Sequence, residues 1–310
     1  MPPQPITQTR PRRVGHTGLT VPAVGVGTGS FSGLYREVPE AEAAATLHYA
    51  LDQGVTLVDT APWYGALVAE RYVGTALASR DRTAYVLSTK VGLWSENDEA
   101  QRGYTRDQIL WSLEGSLKRL RTDRVEILYL HDPLDDAENY RTILAEAVPT
   151  LHALKAQGVT QAVGFGTGTL SAARRLLTDA DFDAVMLAGR YTLLEQGGLD
   201  ILDACALRGI SVFSAGIYNS GVLAGLHAKY NYADAPPAVV ERVRRLEAVC
   251  ERHGVPLKAA AAQFVRAHPA VTCIVLGVES SQQVADNLGQ FEVSIPPVLW
   301  HDLRRESLIP

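Results

Sequence analysis

The sequence predicts an α/β fold, a (β/α)8 barrel that carries an N-terminal β-hairpin and extra C-terminal helices. Eight short runs of apolar, mostly β-branched residues are each followed by a helix-like stretch. No linker rich in Gly or Ser interrupts the 310 residues, and the composition does not shift along the chain. A doubly wound open sheet is the alternative fold, but eight βα units without a second domain favour closure of the sheet.

The predicted strands are continuous apolar runs, as expected for parallel strands that are buried on both faces. They cover residues 24–28, 56–60, 84–90, 125–131, 161–166, 184–190, 211–215 and 272–277.

Helices are predicted after these strands from apolar spacing and from residues that begin or end helices. Thr105 and Gln108 form a capping-box pattern, and Gly54 suits a helix end. The fourth helix is predicted to run from near Pro149, because proline suits a first turn, to Gly158. The other predicted helices are 40–53, 68–79, 105–120, 170–178, 198–208, 258–267 and 281–288.

Three segments lie outside this repeat. Residues 12–22 are predicted to form a hairpin, residues 218–253 a long connection with a helix at about 237–250, and residues 297–303 a last short helix. We expect residues 1–11 to be a flexible tail and residues 12–310 a single domain.

Composition excludes several classes of protein. With 46% apolar and 20% charged residues, the chain is neither disordered nor collagen-like, and a net charge of −5 disfavours nonspecific nucleic-acid binding. Cys205, Cys250 and Cys273 lack metal-ligand spacing and are expected to be reduced thiols, so no metal is predicted. Without a signal peptide or a membrane-spanning run, we expect a cytoplasmic protein, a monomer or weak homo-oligomer.

Four reactive side chains follow consecutive predicted strands: Asp59 and Tyr64 after the second, Lys90 at the end of the third and His131 at the end of the fourth. In a barrel these strand ends meet at one mouth. A nearby lysine lowers the pKa of a tyrosine, an aspartate keeps that lysine charged, and a histidine binds a substrate oxygen or relays a proton. Each residue alone suits a structural role, but their joint occurrence indicates proton transfer at a carbonyl or alcohol oxygen.

These residues resemble the motifs of the aldo-keto reductase superfamily, and the resemblance extends from the hairpin at residue 12 to the last helix. Residues 54–65 resemble the Asp/Tyr motif, residues 88–90 the lysine strand, and residues 123–131 the histidine strand of that superfamily. The resemblance implies that Tyr64 is the general acid/base. It also implies that Lys90 and Asp59 tune Tyr64 and that His131 orients the substrate.

Residues 131–133, 188–196 and 218–224 resemble the aldose 1-dehydrogenase branch (D-threo-aldose, L-fucose and L-galactose dehydrogenases), to which a pyridoxal 4-dehydrogenase is similar. The resemblance implies an NAD-dependent enzyme that oxidises C1 of an aldose to the lactone. An NADPH-dependent aldehyde or ketone reductase and a pyridoxal 4-dehydrogenase are alternatives. A noncatalytic cofactor-binding redox sensor and a Schiff-base aldolase using Lys90 are further alternatives from other classes.

The same resemblance implies a nicotinamide dinucleotide bound without a Rossmann domain. The glycine-rich runs 25–29 and 164–168 have GxGxG rather than GxGxxG spacing, so we interpret them as strand ends close to a ligand. We expect the nicotinamide near Gly27, Thr28, Asp59, Gly166 and Ala188, the pyrophosphate near Tyr218, Asn219, Ser220 and Val222, and the adenosine near Gly277, Glu279, Gln283 and Asn287.

The segment 271–295 predicts NAD rather than NADP. By the resemblance, Gly277 and Gln283 stand where NADP-preferring members carry a Lys and an Arg. The segment contains no Lys or Arg, and Glu279 suits ribose hydroxyls but repels a phosphate. The alternative is that Arg266 or another distant cation reaches the 2′-phosphate. Gly166, Ala188 and Ala215 replace residues that the family uses to hold nicotinamide, so other groups must supply those contacts.

A sugar or aldehyde substrate is expected at the mouth. Aromatic faces there suit a sugar ring or a planar heterocycle, an aspartate suits a sugar hydroxyl, and an arginine suits an anionic group. A structural aromatic cluster and a structural ion pair are the alternatives. The candidate substrate residues are Phe31, Tyr35, Trp63, Trp94, Asp132 and Arg190.

Overall fold

Eight parallel strands pair in chain order and close into a barrel in the computed structural model, which describes residues 10–33, 36–96, 99–225, 229–231 and 233–310. The strands are β1 Val24–Gly27, β2 Leu57–Asp59, β3 Val86–Val91, β4 Ile127–His131, β5 Ala162–Thr167, β6 Ala184–Ala188, β7 Ser211–Ala215 and β8 Val271–Gly277. Closure is completed by β8 and β1, with Gly277 opposite Gly27. The predicted (β/α)8 barrel is therefore confirmed, and the open sheet is wrong.

Helices pack around the barrel between successive strands. They are α1 Glu40–Asp52, α2 Val68–Leu77, α3 Arg106–Leu120, α4 (Ala137–Thr142, the π-helical turn Ile143–Ala147 and Val148–Ala156), α5 Leu170–Asp179, α6 Leu199–Arg208, α7 Pro237–Arg252, α8 Leu257–Arg266, α9 Ser281–Gly289 and α10 Pro297–Arg305. The Thr105–Gln108 capping box at the start of α3 is confirmed. None of the described helices is both long and apolar enough to span a bilayer.

Helix α4 begins earlier than predicted. Asp136 caps it by accepting a hydrogen bond from the Asn139 N–H at 3.1 Å, so Pro149 lies inside the helix and does not start it. Proline lacks an N–H and its ring crowds the carbonyl four residues earlier. The wider π-helical turn directly before Pro149 accommodates that missing donor and bulk.

The N-terminal hairpin covers the N-terminal end of the barrel. Arg12–Arg13 pairs with Thr20–Val21, and Val14, Leu19 and Val21 pack against side chains of the barrel interior. Tight packing continues inside, where a Cβ on Gly25 would lie 2.7 Å from the Leu57 side chain. The opposite, C-terminal end is thereby left as the mouth.

Two further hairpins were not predicted: Leu93–Glu96 with Glu99–Arg102, and Lys229–Tyr230 with Ala233–Asp234. Strand β6 ends two residues before the predicted end, because Gly189 adopts a left-handed φ of +68° and turns the chain. Residues 1–9, most of the predicted tail, lie outside the described residues.

The loop after β7 rests on a second hydrophobic core outside the barrel. Val222 and Leu223 of this loop pack in one cluster with Leu246 of α7, Ala260 of α8 and Leu299 of α10. The extra C-terminal helices therefore serve to fix the loop that was predicted to meet the cofactor pyrophosphate.

Candidate active site

Lys90 is the centre of the site, and the residue is buried, with 1% of its surface exposed. It donates to the Asp59 carboxylate at 2.6 Å, to the Thr60 carbonyl at 3.0 Å and to the Tyr64 hydroxyl oxygen at 3.0 Å. An ammonium has three protons, so each of them has an acceptor. The three predicted residues of β2, β3 and the loop after β2 are thus brought together.

Neighbouring groups determine the charge state of the Lys90 side chain. Burial by itself lowers the pKa of Lys90, but Asp59 and the Tyr64 oxygen outweigh that effect and raise the pKa above its ordinary value. The same contacts therefore favour the ammonium form of Lys90. A fixed positive charge at 3.0 Å from the phenol oxygen favours the phenolate form of Tyr64.

Backbone register explains how Asp59 is held. Asp59 lies opposite Gly27 on one side and Ser88 on the other, and the Ser88 hydroxyl donates to its second carboxylate oxygen at 2.7 Å. The Thr28 hydroxyl donates to the Asp59 carbonyl at 3.0 Å. Both Asp59 carboxylate oxygens thus have donors, which limits the cost of burying the Asp59–Lys90 ion pair.

His131 completes the group at the end of β4. Its ring meets the Tyr64 ring edge to face, with 5.7 Å between centroids, and its Nδ1 has no hydrogen-bond partner among the described residues. Burial, followed by the charges of Lys90 and Arg102, lowers the pKa of His131 well below its ordinary value. The imidazole is consequently neutral, able to donate to or accept from an oxygen that enters the mouth.

The residue after His131 stores backbone strain. Asp132 has a φ of +40°, and its carbonyl accepts a hydrogen bond from Arg102 at 2.7 Å. Left-handed backbone at a non-glycine residue costs about 1–2 kcal/mol and is concentrated at functional sites. Arg102 comes from the hairpin after β3, so that unpredicted hairpin fixes the chain beside His131.

Small residues lie near Lys90 at the strand ends where nicotinamide was predicted. A Cβ on Gly166 would lie 3.8 Å from the Lys90 Cε, and one on Gly27 would lie 3.1 Å from the Val275 side chain. Ala188 ends β6 opposite Ala215 of β7, and both are half-buried. The absence of side chains at Gly27 and Gly166 thus lets neighbouring groups pack closely at these strand ends.

The predicted pyrophosphate loop adopts an unusual backbone. Asn219, Ser220 and Gly221 have consecutive positive φ values of 47°, 59° and 101°. The Asn219 side chain accepts from the Thr192 hydroxyl at 2.7 Å and donates to Glu195 at 3.1 Å, and therefore ties its loop to the neighbouring loop after β6. The Tyr218 hydroxyl is buried without a hydrogen-bond partner among the described residues.

The predicted adenosine segment is held by Gln283. The Glu279 N–H donates to the Gln283 side-chain oxygen at 2.9 Å, while Ser280 caps α9 and Asn287 is buried on it. One carboxylate oxygen of Glu279, Oε1, is buried and has no hydrogen-bond partner among the described residues. Gly277 lies at the end of β8, where a Cβ would approach the Ser30 hydroxyl to 3.2 Å.

The sequence left open that a distant cation reaches this segment, and the structure brings two cations to it. Arg36, from the loop after β1, contacts Glu279 at 3.4 Å, and Lys258 of α8 is paired with Asp286 of α9. Both cations come from outside the segment 271–295, so the sequence of that segment alone does not reveal them. Arg266 lies elsewhere, because it interacts with Arg12 and Cys273 near the opposite end of β8.

Two of the predicted substrate residues, Phe31 and Trp94, are buried against other protein side chains. Phe31 is 2% exposed and belongs to the hydrophobic core. Trp94 packs edge to face with Trp111 of α3, 5.2 Å between centroids, beside a cavity of about 180 Å³ lined partly by Pro62 and Leu67. These placements give no support to Phe31 or Trp94 as substrate contacts. Both side chains were predicted at the mouth only because they follow barrel strands.

Arg190 is held by protein groups. It donates to the Gly168 carbonyl at 2.7 Å and forms an ion pair with Glu195 at 3.2 Å. Trp63 and Asp132 are half-buried, as predicted residues of an accessible site would be. Tyr35 lies outside the described residues. Substrate binding therefore stays a prediction for these four residues, Arg190, Trp63, Asp132 and Tyr35.

Sequence reasoning missed three contributors: Ser88, which bonds Asp59, Arg102, which braces Asp132, and Arg36, which contacts Glu279. Ser88 was detectable, because it stands two residues before Lys90 and therefore faces the same way along β3. No local signal pointed to Arg36 or Arg102.

The barrel and the buried Asp59–Lys90–Tyr64 group at its mouth are the arrangement expected of an oxidoreductase. The model of the Aldo/keto reductase family matches residues 23–304. This match spans most of the chain, and the chain belongs to the aldo/keto reductase family.

Two relatives are similar to this chain over almost its whole length. The chain is 36% identical to a D-threo-aldose 1-dehydrogenase of a Pseudomonas species over 94% of this chain and 96% of the relative. It is equally, 36%, identical to a pyridoxal 4-dehydrogenase of Microbacterium luteolum over 96% and 97%. The solved holo form of an aldo-keto reductase from Bacillus halodurans superposes with a TM-score of 0.78 at 22% identity, covering 97% of this chain and 96% of that one, and shows the common fold.

Proposed function

We propose that the protein is an NAD-dependent dehydrogenase that oxidises C1 of an aldose, in its cyclic hemiacetal form, to the lactone. The observation that carries this proposal is the engagement of all three Lys90 ammonium protons, one of them by the Tyr64 oxygen. A phenolate held beside a permanent cation is a base able to take a proton from an alcohol. The similarity to a D-threo-aldose 1-dehydrogenase supports an aldose as the alcohol.

In the proposed reaction Tyr64 takes the proton of the C1 hydroxyl as the C1–H bond breaks. A nicotinamide cofactor, bordered by Gly27, Gly166 and Ala188, would supply the acceptor for the hydride and its two electrons. The C1–O single bond becomes the carbonyl of the lactone, so atoms and electrons balance. Neutral His131 hydrogen-bonds the substrate oxygen and aligns it with Tyr64, at a distance set by their edge-to-face contact.

The Schiff-base alternative is disfavoured by the same lysine. Attack on a carbonyl requires a neutral amine, whereas Asp59 and the Tyr64 oxygen stabilise the protonated form of Lys90. A noncatalytic sensor would leave the Tyr64–Lys90 pair without a task. Both alternatives therefore rank below oxidoreduction.

Residues at the adenosine end suit NAD. Glu279 Oε1 is a buried carboxylate oxygen that lacks a donor, and a ribose hydroxyl is a donor of the right kind. A 2′-phosphate at that position would instead meet a carboxylate at close range. Glu279, held by Gln283, would hold the adenosine ribose, and the small residues Gly27, Gly166 and Ala188 would border the nicotinamide.

A paired screen tests the proposal. Initial rates of cofactor reduction are measured by absorbance with NAD and with NADP, over aldoses, pyridoxal and simple alcohols, and the reverse reaction is measured with aldehydes. We expect the highest kcat/KM with NAD and an aldose. Equal or greater efficiency with NADP would overturn the cofactor assignment, and faster reduction of simple aldehydes with NADPH would favour the reductase.

Pyridoxal is the second candidate substrate, because the pyridoxal 4-dehydrogenase relative matches the chain at the same 36% identity over an equally complete length. Its oxidation needs the same proton acceptor at Tyr64. The two candidates differ in shape and charge, so kcat/KM for pyridoxal against a panel of aldoses separates them directly.

A further inference from the structure

Glu70 is a buried carboxylate that the proposed reaction does not use. It lies in the first turn of α2, and none of its surface is exposed. One carboxylate oxygen accepts a hydrogen bond from the Thr89 hydroxyl of β3 at 2.6 Å, and the other accepts from Arg119 Nε of α3 at 2.7 Å. Both oxygens therefore have donors, and the carboxylate joins α2, β3 and α3 at one point.

Glu70 stands beside both chain segments that carry the Tyr64–Lys90 pair. Thr89 directly precedes Lys90, and side chains alternate along a strand, so Thr89 faces α2 while Lys90 faces the barrel interior. On the other side, the Ala69 N–H, one residue before Glu70, donates to the Tyr64 carbonyl at 3.3 Å. Glu70 therefore links the strand that carries Lys90 to the helical turn that holds the Tyr64 backbone.

The chain between Tyr64 and α2 needs such an anchor. Gly65, Ala66 and Leu67 have consecutive positive φ values of 56°, 49° and 73°, and α2 begins without a side-chain cap. Left-handed backbone is unfavourable at non-glycine residues and persists only where the surrounding structure fixes it. Without a buried anchor in the first turn of α2, this segment would relax and move the Tyr64 hydroxyl relative to Lys90.

Close packing of α2 against α3 supports the same anchor. A Cβ on Gly74 would lie 2.1 Å from the Arg119 carbonyl, so the two helix backbones are in direct contact. The Arg119 side chain also donates to the Ser116 hydroxyl at 3.3 Å, which holds the guanidinium beside Glu70. The partner of the buried carboxylate is therefore fixed by packing as well as by charge.

We propose that Glu70 is a positioning residue that sets the 3.0 Å distance between the Lys90 ammonium and the Tyr64 oxygen. It acts through Thr89 and through the first turn of α2. Coulomb attraction falls with distance, so lengthening that contact to about 4 Å would lower the ionisation constant of the phenol about tenfold, at an effective dielectric constant of about 20. The inference rests on the proposed function only in taking Tyr64 as the group that moves the proton.

The test measures ionisation of the Tyr64 phenol directly and needs no substrate. The ultraviolet absorbance of tyrosinate is followed as the pH rises, and the curve of the matched Tyr64→Phe protein is subtracted to isolate Tyr64. Thr89→Val removes the hydroxyl that Glu70 accepts from, and Glu70→Ala removes the carboxylate. Each should move the Tyr64 midpoint upward by about one pH unit, which is the tenfold change in ionisation constant. Thr89→Ser keeps the hydroxyl and should restore the wild-type midpoint.

Glu126→Ala is the matched control. Glu126 is a second buried carboxylate that fixes β3, since it accepts from the Leu87 N–H at 2.9 Å and pairs with Arg82 at 2.7 Å, but it does so near the start of the strand, away from the mouth. It should lower stability to urea as Glu70→Ala does and leave the Tyr64 midpoint unchanged. The charged and titratable groups that face Tyr64 are the same in all these variants: Lys90, Asp59 and His131.

An unchanged midpoint in Thr89→Val, or an equal shift in Glu126→Ala, would overturn the positioning role and leave Glu70 a structural residue. The Thr89 variants decide the matter alone if Glu70→Ala does not fold. Kinetics separates this inference from the proposed function: the rising limb of kcat/KM against pH for aldose oxidation should move upward with the midpoint. A protein that shows the titration shift but oxidises no aldose would refute the proposed function and not the role of Glu70.

Discussion

The proposed catalytic end of the site, at Lys90, and its proposed adenosine end, at Glu279, both contain a cation paired with a carboxylate, but the two pairs differ in how completely they are hydrogen-bonded. At the catalytic end, Lys90 and Asp59 are buried and every ammonium proton has an acceptor within 3.0 Å. At the adenosine end, Arg36 is partly exposed, its contact to the Glu279 carboxylate is 3.4 Å, and Glu279 Oε1 lacks a partner among the described residues.

This difference separates two tasks. A catalytic group works best when its charges are preorganised before the substrate arrives, so that no reorganisation is needed in the transition state. A selective binding group instead keeps one buried polar atom unpaired, because only the correct ligand supplies its hydrogen bond and relieves the free-energy cost of burying that atom. Changes at the catalytic end should therefore affect turnover and stability, and changes at the adenosine end should affect affinity.

The largest effect is expected for Tyr64→Phe. Removal of the phenol oxygen eliminates the proton acceptor, and kcat should fall about 10³-fold while the Kd for NAD changes less than about twofold. Stopped-flow rates and fluorescence titration measure the two quantities. Tyr129→Phe is the control, since Tyr129 lies opposite Lys90 in the barrel but its buried hydroxyl has no hydrogen-bond partner among the described residues. A Tyr64→Phe enzyme that keeps near-normal turnover would disprove the assigned role.

Lys90→Met should cause the largest loss of stability. The variant leaves the buried Asp59 carboxylate without its counter-charge, which costs about 3–5 kcal/mol of unfolding free energy. Urea denaturation measures the loss. Lys118→Met provides the comparison, because Lys118 pairs with Glu114 on an exposed helix face, where such pairs contribute little. Similar losses in both variants would show that the buried pair is not special.

The residues of the proposed catalytic end could be predicted from sequence because barrel topology alone determines which strand ends are neighbours. In a barrel with strands in chain order, residues at the ends of β2, β3 and β4 must be neighbours, so Asp59, Lys90 and His131 converge whatever the loops do. Tyr64 follows β2 closely enough to share that position. The fold itself was predictable for the same reason, from buried runs and alternating helices.

Positions set by long-range contacts were not predictable. Arg36 and Glu279 are separated by 243 positions and meet only because β8 closes on β1. Trp94 follows a barrel strand, but an unforeseen hairpin turns its ring toward α3. Arg190 ends up paired with Glu195, which the sequence allowed as an alternative and only the coordinates distinguish.

A moderate effect is expected from pH at His131. Its folded-state pKa is depressed, mainly by burial, so the unfolded chain binds a proton that the folded protein does not. The stabilisation from keeping His131 neutral is fully present above about pH 6.5 and is lost as the pH falls below that value, by at most about 1.4 kcal/mol per pH unit. Urea unfolding at several pH values should show a shallower slope for His131→Gln than for the wild type. Parallel slopes would contradict a neutral buried imidazole.

The smallest effect is expected for Gln283→Ala, which tests the proposed adenosine end without changing the charge of any residue there. Gln283 orients Glu279 through its side-chain oxygen and nitrogen, so its loss should weaken NAD binding about fivefold and leave kcat within about twofold. Saturation kinetics separate KM from kcat. Gln290→Ala is the matched control, because Gln290 directly follows the same helix and bonds Asp286 and not Glu279. If Gln283→Ala lowered kcat instead of raising KM, the two ends would be coupled and the division of tasks between them would be wrong.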